Sequence, residues 1–192
     1  MAKAKGPTYS VPFRRRNEKA TDYRKRLGLV KSGKPRLVIR KTNKRVLVQL
    51  VEFHPNGDRV ILSVNSDKLK KFKWAPRSNL PTAYLVGYYA GVLGKKAGVK
   101  EFVLDIGLVR PIVGGLPFAA QKGAADAGLE TPMGENIVDE NRIKGKHIED
   151  FAKSLSDEEY KKEFSAYLKE GFDPRKFTEL FESAKEAISK EA

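Results

Sequence analysis

Arg36-Leu37-Val38-Ile39-Arg40-Lys41, then Val46-Leu47-Val48-Gln49-Leu50-Val51-Glu52-Phe53, then Arg59-Val60-Ile61-Leu62-Ser63-Val64, is the stretch whose reading decides the fold. The first segment carries a short apolar run, and the second alternates apolar residues at Val46, Val48 and Leu50 with their neighbours. Such alternation is the signature of a strand with one buried face. Thr42-Asn43-Lys44 supplies the first turn and Pro55-Asn56-Gly57-Asp58 the second, where Asn-Gly is a strong hairpin signal. Three strands joined by two tight turns form an antiparallel meander.

Downstream, a helix is expected from about Pro81 to Ala97, with Tyr84, Leu85, Tyr88, Val92 and Leu93 on helical spacing. Gly87, Gly91 and Gly94 lie within it, each costing up to about 1 kcal/mol relative to Ala. They make sense where the helix backbone lies close to the sheet. Glu101–Ile106 then reads as a buried strand and Phe118–Ala127 as another helix. Strand, crossover helix and strand place this fourth strand parallel to one of the meander. The fold class is therefore α/β: an antiparallel meander extended by a parallel strand into one mixed sheet, covered by helices.

The C-terminal part is patterned differently. Residues 134–148 are polar and weakly patterned, and read as a linker or loop. Ser156 and Glu159 make a capping box for a helix bearing Tyr160, Phe164, Tyr167 and Leu168, ended by Gly171. Asp173 and Pro174 then open a helix with an apolar stripe of Phe177, Leu180, Phe181, Ala184 and Ile188. The stripe is expected on the body, with docking onto a partner protein as the alternative.

Upstream of the meander, Gly6, Pro7 and Pro12 resist helix and ladder alike, so residues 1–12 read as an extended arm that orders on its partner. Phe13–Leu27 contains no breaker and is expected to be one helix. Its Arg14, Arg15, Arg16, Lys19, Arg24, Lys25 and Arg26 surround the axis, which leaves no large core face. The bland alternative is a solvated helix. The domain division expected is 1–30 for the basic arm and helix, 31–133 for the α/β body and 134–192 for the linker and helical extension.

Charge is distributed as unevenly as pattern. The 192 residues carry a formal net charge of +14, and the first fifty hold sixteen Lys or Arg against only Glu18 and Asp22. From Val46 onward, 22 basic residues meet 22 acidic ones. A neutral body behind a polycationic arm points to a polyanion, and to nucleic acid before any other. Tyr9, Phe13, Tyr23, Phe72 and Trp74 interleave with the basic residues, as base-stacking would require. For Tyr23 core anchoring is the stronger expectation, while Tyr9 and Trp74 suit either role.

Several chemistries are excluded. With no Cys there is no disulfide, thiolate metal site or thiol nucleophile, and His54 and His147 lie too far apart in sequence to suggest zinc. Gly94-Lys95 brushes against a phosphate loop, yet Tyr89 and Lys96 stand where that loop needs Gly and Ser or Thr, and the Lys ends a helix. Asp105 at a strand end evokes nuclease carboxylates, but no second and third acid are spaced to join it on Mg²⁺. A cap or turn role is expected for it instead. No cofactor, small-molecule substrate or membrane span is indicated, since neither a leader's apolar core nor a run of roughly 20 apolar residues is present. The protein is expected in the cytosol.

Tyr9-Ser-Val-Pro-Phe-Arg-Arg-Arg16, with Thr21-Asp-Tyr-Arg-Lys-Arg-Leu27, resembles the opening of the archaeal and eukaryotic type of large-subunit ribosomal protein eighteen, whose eukaryotic counterpart is large-subunit protein five. Lys31-Ser-Gly-Lys-Pro-Arg-Leu-Val38, Arg40-Lys-Thr-Asn-Lys44, Gln49-Leu-Val51, Ala83-Tyr-Leu85 and Val103-Leu-Asp-Ile-Gly-Leu108 match the same family in order, across about Tyr9 to Ile148. The resemblance implies a non-catalytic constituent of the large ribosomal subunit. It would bind 5S rRNA in the central protuberance and touch the large rRNA and neighbouring ribosomal proteins. It implies RNA contacts at Arg14, Arg15, Arg16, Arg24, Lys25, Arg26, Lys34, Arg36, Arg40, Lys41, Asn43 and Lys44. The alternative readings are a transient RNA-binding assembly factor and, from another class, an RNA-processing enzyme built on Asp105.

Overall fold

In the computed structural model, which describes residues 6–134 and 137–191, the meander pairs as the alternation requires. Strand β1 (Arg36–Lys41) runs antiparallel to β2 (Val46–Glu52), with Leu37 opposite Leu50 and Ile39 opposite Val48. Strand β3 (Arg59–Asn65) continues the sheet from β2, with a register shift at Leu50/Val51. Strand β4 (Val103–Asp105) lies parallel to β1, giving the order β3-β2-β1-β4. The expected α/β fold is thus observed. The fourth strand is shorter than Glu101–Ile106: Glu101 makes an isolated bridge to Glu130, and at the far end Gly107 turns the chain at φ +61°. As an edge strand it leaves Val103 and Leu104 half-buried, while Phe102 beside it is fully buried.

One face of the sheet is covered by helix α3 (Leu80–Lys96). Asn79 caps it by accepting from the Thr82 N–H at 3.1 Å, and Pro81 sits in the first turn where no N–H is missed. Leu37, Ile39, Val46, Val48, Leu50 and Val64 of the sheet enclose a core with Ala83, Val86 and Ala90 of the helix. Helix α4 (Leu116–Asp126) packs on α3. The glycines of α3 serve this contact more than the sheet. A Cβ on Gly87 would lie 2.0 Å from the Ala120 carbonyl oxygen and one on Gly91 2.6 Å from Ala127 Cβ. Only Gly94 faces the sheet, against Leu50, and Gly123 of α4 reciprocates by meeting the Tyr84 carbonyl of α3. The expectation that these glycines let the helix lie close to the sheet holds for Gly94 and is corrected for Gly87 and Gly91, which make room for α4 and the residue that follows it.

Residues 134–148 are not merely a linker. Within the described residues of this stretch, α5 (Glu140–Lys144) is capped by Asp139, which accepts from the Asn141 N–H at 2.9 Å, and closed by Gly145 at φ +79°. Val138 and Ile143 enter the main core. Helix α6 (Lys146–Ser154) follows at once, then α7 (Asp157–Glu163), whose first turn holds the expected Ser156–Glu159 box: the Ser156 N–H and hydroxyl both donate to the Glu159 carboxylate, at 3.3 and 2.8 Å. A break at Phe164 divides it from α8 (Ser165–Leu168), and Gly171 turns beyond that at φ +71°. Asp173 accepts from the Arg175 N–H at 3.0 Å and Pro174 opens a 3₁₀ turn before α9 (Phe177–Ser189). Phe177, Phe181, Ala184 and Ile188 lie in the main core, so the stripe packs on the body as expected. Trp74 is the hub there, edge-on to Phe172, Phe177 and Phe181 at centroid distances of 5.2, 5.1 and 6.1 Å.

At the other end, Gly6–Phe13 forms neither helix nor strand, and residues 1–5 of the expected arm lie outside the described residues. The single helix expected over Phe13–Leu27 is two. Helix α1 (Arg14–Asn17) stops as Lys19 takes φ +52°, and α2 (Tyr23–Lys31) restarts at Asp22, whose side chain accepts from the N–H groups of Arg24 and Lys25 at 3.0 and 3.2 Å. An Asp competing for the backbone amides is a better helix start than a helix interior, and that preference divides the segment.

Candidate nucleic-acid interface

The cations of the N-terminal half occupy three stations. Arg14, Arg15 and Arg16 stand exposed on α1. Arg24, Lys25 and Arg26 lie on α2, which buries none of its residues. Arg40 and Lys41 end β1, and the turn that follows presents Asn43 and Lys44 at its tip, closed by the Thr42 N–H donating to the Arg45 carbonyl at 2.9 Å. Lys34, half-buried ahead of β1, pairs with Glu101 at 2.5 Å.

Between α2 and the uncovered face of the sheet lies a groove of about 990 Å³. It brings together Arg15, Lys25, Arg26, Arg36 and Arg40 of the twelve expected contacts. Arg14, Arg16, Arg24, Lys34, Lys41, Asn43 and Lys44 lie outside it. Its floor is apolar, from Val38, Val51 and Val60, the open-face residues of three neighbouring strands. A lip is formed by Gly107, Leu108 and Val109 after β4. Arg40 lies against that lip so closely that a Cβ on Gly107 would come within 2.4 Å of its guanidinium, so a side chain there would displace Arg40.

The twelve differ in what already holds them. Arg36 is only 4 % exposed: its guanidinium donates to Asp105 at 2.9 Å and to Asp58 at 2.6 Å. Arg26 reaches the same Asp58 oxygen at 2.8 Å. Arg15 donates to the Thr21 hydroxyl at 2.8 Å, and Arg14 stands 3.7 Å from Glu18 in an exposed pair worth little. Arg16, Arg24, Lys25, Arg40, Lys41 and Lys44 form no ion pair among the described residues. These six are free to meet a phosphate without first giving up a carboxylate.

Asp105 is the turn residue expected. One oxygen accepts from the Gly107 N–H at 2.9 Å and the other from Arg36. Among the described residues no group of three His, Asp or Glu is arranged to hold a metal ion. The sequence places Asp58 only in the second turn and gives it no part in the site, because its partners Arg26 and Arg36 lie 32 and 22 residues away along the chain. Of the aromatics, Trp74 is 2 % exposed and donates to the Thr82 hydroxyl at 3.0 Å, which decides it for the core. Tyr23 is not a core anchor: half-buried, it packs on the exposed ring of Phe13 at 5.7 Å because α2 has no core to enter. Tyr9 is exposed, and Phe72 packs edge-on to Tyr89 at 5.4 Å. None of the described helices is long and apolar enough to cross a membrane.

This arrangement, exposed cations around a groove with an apolar floor, suits the binding of a polyanion. Comparison with known proteins agrees. Residues 7–100 match the family described as "Ribosomal large subunit proteins 60S L5, and 50S L18". Over 190 residues the chain is 46 % identical to "Large ribosomal subunit protein uL18" from Methanothermobacter thermautotrophicus, covering 98 % of this chain and 99 % of that one. The chain therefore belongs to the family of large-subunit ribosomal proteins 60S L5 and 50S L18, in its archaeal type, a family of structural ribosomal proteins and not of enzymes.

Proposed function

We propose that this ribosomal protein binds 5S rRNA and attaches it to the large rRNA in the central protuberance of the cytoplasmic large subunit. The observation that carries the reading is the set of six unpaired cations, Arg16, Arg24, Lys25, Arg40, Lys41 and Lys44, running from the arm past the groove to the β1–β2 turn. In A-form RNA the base edges of the major groove are out of reach, so such a band reads phosphates, shape and 2′-hydroxyls. Residues 1–30 supply the first grip and the sheet of 31–133 fixes its direction, while 134–192 faces neighbouring ribosomal proteins. Arg14, Arg15, Lys34 and Asn43 join the contact, whereas Arg26 divides its charge between RNA and Asp58, and Arg36 between RNA and the carboxylates of Asp58 and Asp105.

The test is a titration of the protein against 5S rRNA with excess unrelated structured RNA as competitor, repeated over a range of salt. Neutralising about eight phosphates gives a log–log salt slope of roughly −6 to −7. A shift that survives the competitor with such a slope supports the reading. Loss of the shift to the competitor, or a slope near zero, overturns it.

A further inference from the structure

Helix α2 is held in an unusual way for an element that must present cations at a fixed angle. None of its residues is buried, it starts after an irregular segment, and the groove separates much of it from the sheet. Beside the half-buried Leu29 and Val30 and the short connection to β1, a charged relay links it to the sheet. Arg26 of α2 donates to Asp58 Oδ2; that oxygen also accepts from Arg36 of β1; and Arg36 donates in turn to Asp105 at the end of β4. Asp58 stands just ahead of β3, so the relay ties the arm to three strands through the two carboxylates of Asp58 and Asp105. Phe13 and Tyr23 pack on each other within the arm.

The relay is poorly built as a source of stability. Arg36 Nε and Asp58 Oδ1 are both shut off from solvent and lack a hydrogen-bond partner among the described residues. Buried ion pairs often contribute less than an apolar replacement would, and unsatisfied atoms add a further cost. What the relay supplies is direction: the 2.8 Å contact of Arg26 with Asp58 favours placements of α2 that keep its first turn beside the start of β3. We infer that Asp58 and Arg36 are positioning residues for RNA binding, which act by setting the angle at which α2 presents Arg24 and Lys25. The inference rests on the RNA-binding reading above.

A double-mutant cycle separates positioning from stability. In the unaltered protein, replacing Arg24 and Lys25 by Ala reduces the affinity for 5S rRNA by roughly tenfold and the salt slope by about two. With Asp58→Asn already in place, the same replacement costs under about threefold, because α2 no longer holds those cations against RNA. Asp58→Glu restores part of the coupling. The loss caused by Lys41→Ala with Lys44→Ala stays the same in both backgrounds, since the β1–β2 turn does not depend on Asp58. In the free protein, amide exchange of α2 rises in Asp58→Asn while that of α3 does not. Should Asp58→Asn fold poorly, Arg26→Gln breaks the relay at its exposed end and gives the same exchange result. Additive losses together with unchanged α2 exchange overturn the positioning role and leave the RNA reading standing. Failure of the unaltered protein to bind 5S rRNA overturns the RNA reading itself, and the inference with it.

Discussion

Helix α2 near the N-terminus and helix α9 near the C-terminus are fastened to the same sheet-and-helix body by opposite physics. Cations ring α2, which buries nothing and reaches the sheet through a shared carboxylate across a groove. Four residues of α9 are buried in the main core, two of their rings against Trp74. A short helix that keeps its cations exposed cannot also devote those positions to the core, because each cation kept in solvent is a position lost to packing. The C-terminal end has the reverse allocation. Some of its basic residues are drawn into pairs, Arg175 with Asp157 at 2.8 Å and Lys153 with Glu149 at 2.5 Å, and its apolar stripe carries the attachment.

The contrast is most strongly tested at Phe177, which is fully buried at the Trp74 hub. Phe177→Ala is expected to cost about 3–5 kcal/mol, lowering the melting temperature by roughly 6–20 °C, while RNA affinity measured well below that temperature is unchanged. An affinity loss at low temperature would mean that the two ends are coupled. Conversely, replacing Arg14, Arg15 and Arg16 together by Ala should reduce the salt slope of RNA binding by about three and shift the melting temperature by less than about 2 °C. A large thermal shift in that variant would make the arm part of the core in function, whatever its exposure.

Two smaller effects sharpen the comparison. Gly87→Ala drives a methyl group into the Ala120 carbonyl, and is expected to cost about 1–3 kcal/mol in thermal melts. Amide exchange should rise in α3, α4 and the α9 that leans on α3, but not in α2. The least effect is expected from acid. The ammonium of Lys153, aided by the Thr178 N–H, holds the Glu149 carboxyl down at about 2, below its ordinary value of 4.5. A depressed carboxyl contributes stability that is complete above 4.5 and fades as pH falls towards 2. Melting temperature should therefore fall through that window, and Glu149→Gln should flatten part of the slope.

Much of this was legible because it is local. Alternation in Val46–Leu50 and the Asn56-Gly57 turn fix strand and hairpin within a few residues, and the charge imbalance is visible from counting alone. What escaped was set either by competition or by distance. Lys19 gives no warning that it will take a left-handed conformation, since the break belongs to Asp22 claiming two amides further on. The α5 helix hid in a polar stretch because only Ile143 of its five residues is buried. Arg36 looked like one more cation of the band, and its two carboxylates stand 22 and 69 residues away along the chain. Trp74, ringed by lysines in sequence, looked fit for stacking on a base until rings from a distant segment were brought against it.

The cage around Trp74 also sets an order of events during synthesis. Its ring partners Phe172, Phe177 and Phe181 are added roughly a hundred residues after it. At about 5–20 residues per second, translation leaves the indole without its cage for on the order of 5–20 s. The basic arm is out well before then and needs none of those rings. On the proposed reading, a growing chain of this protein meets RNA before its own interior is sealed, with an uncapped tryptophan as the mark of its unfinished state.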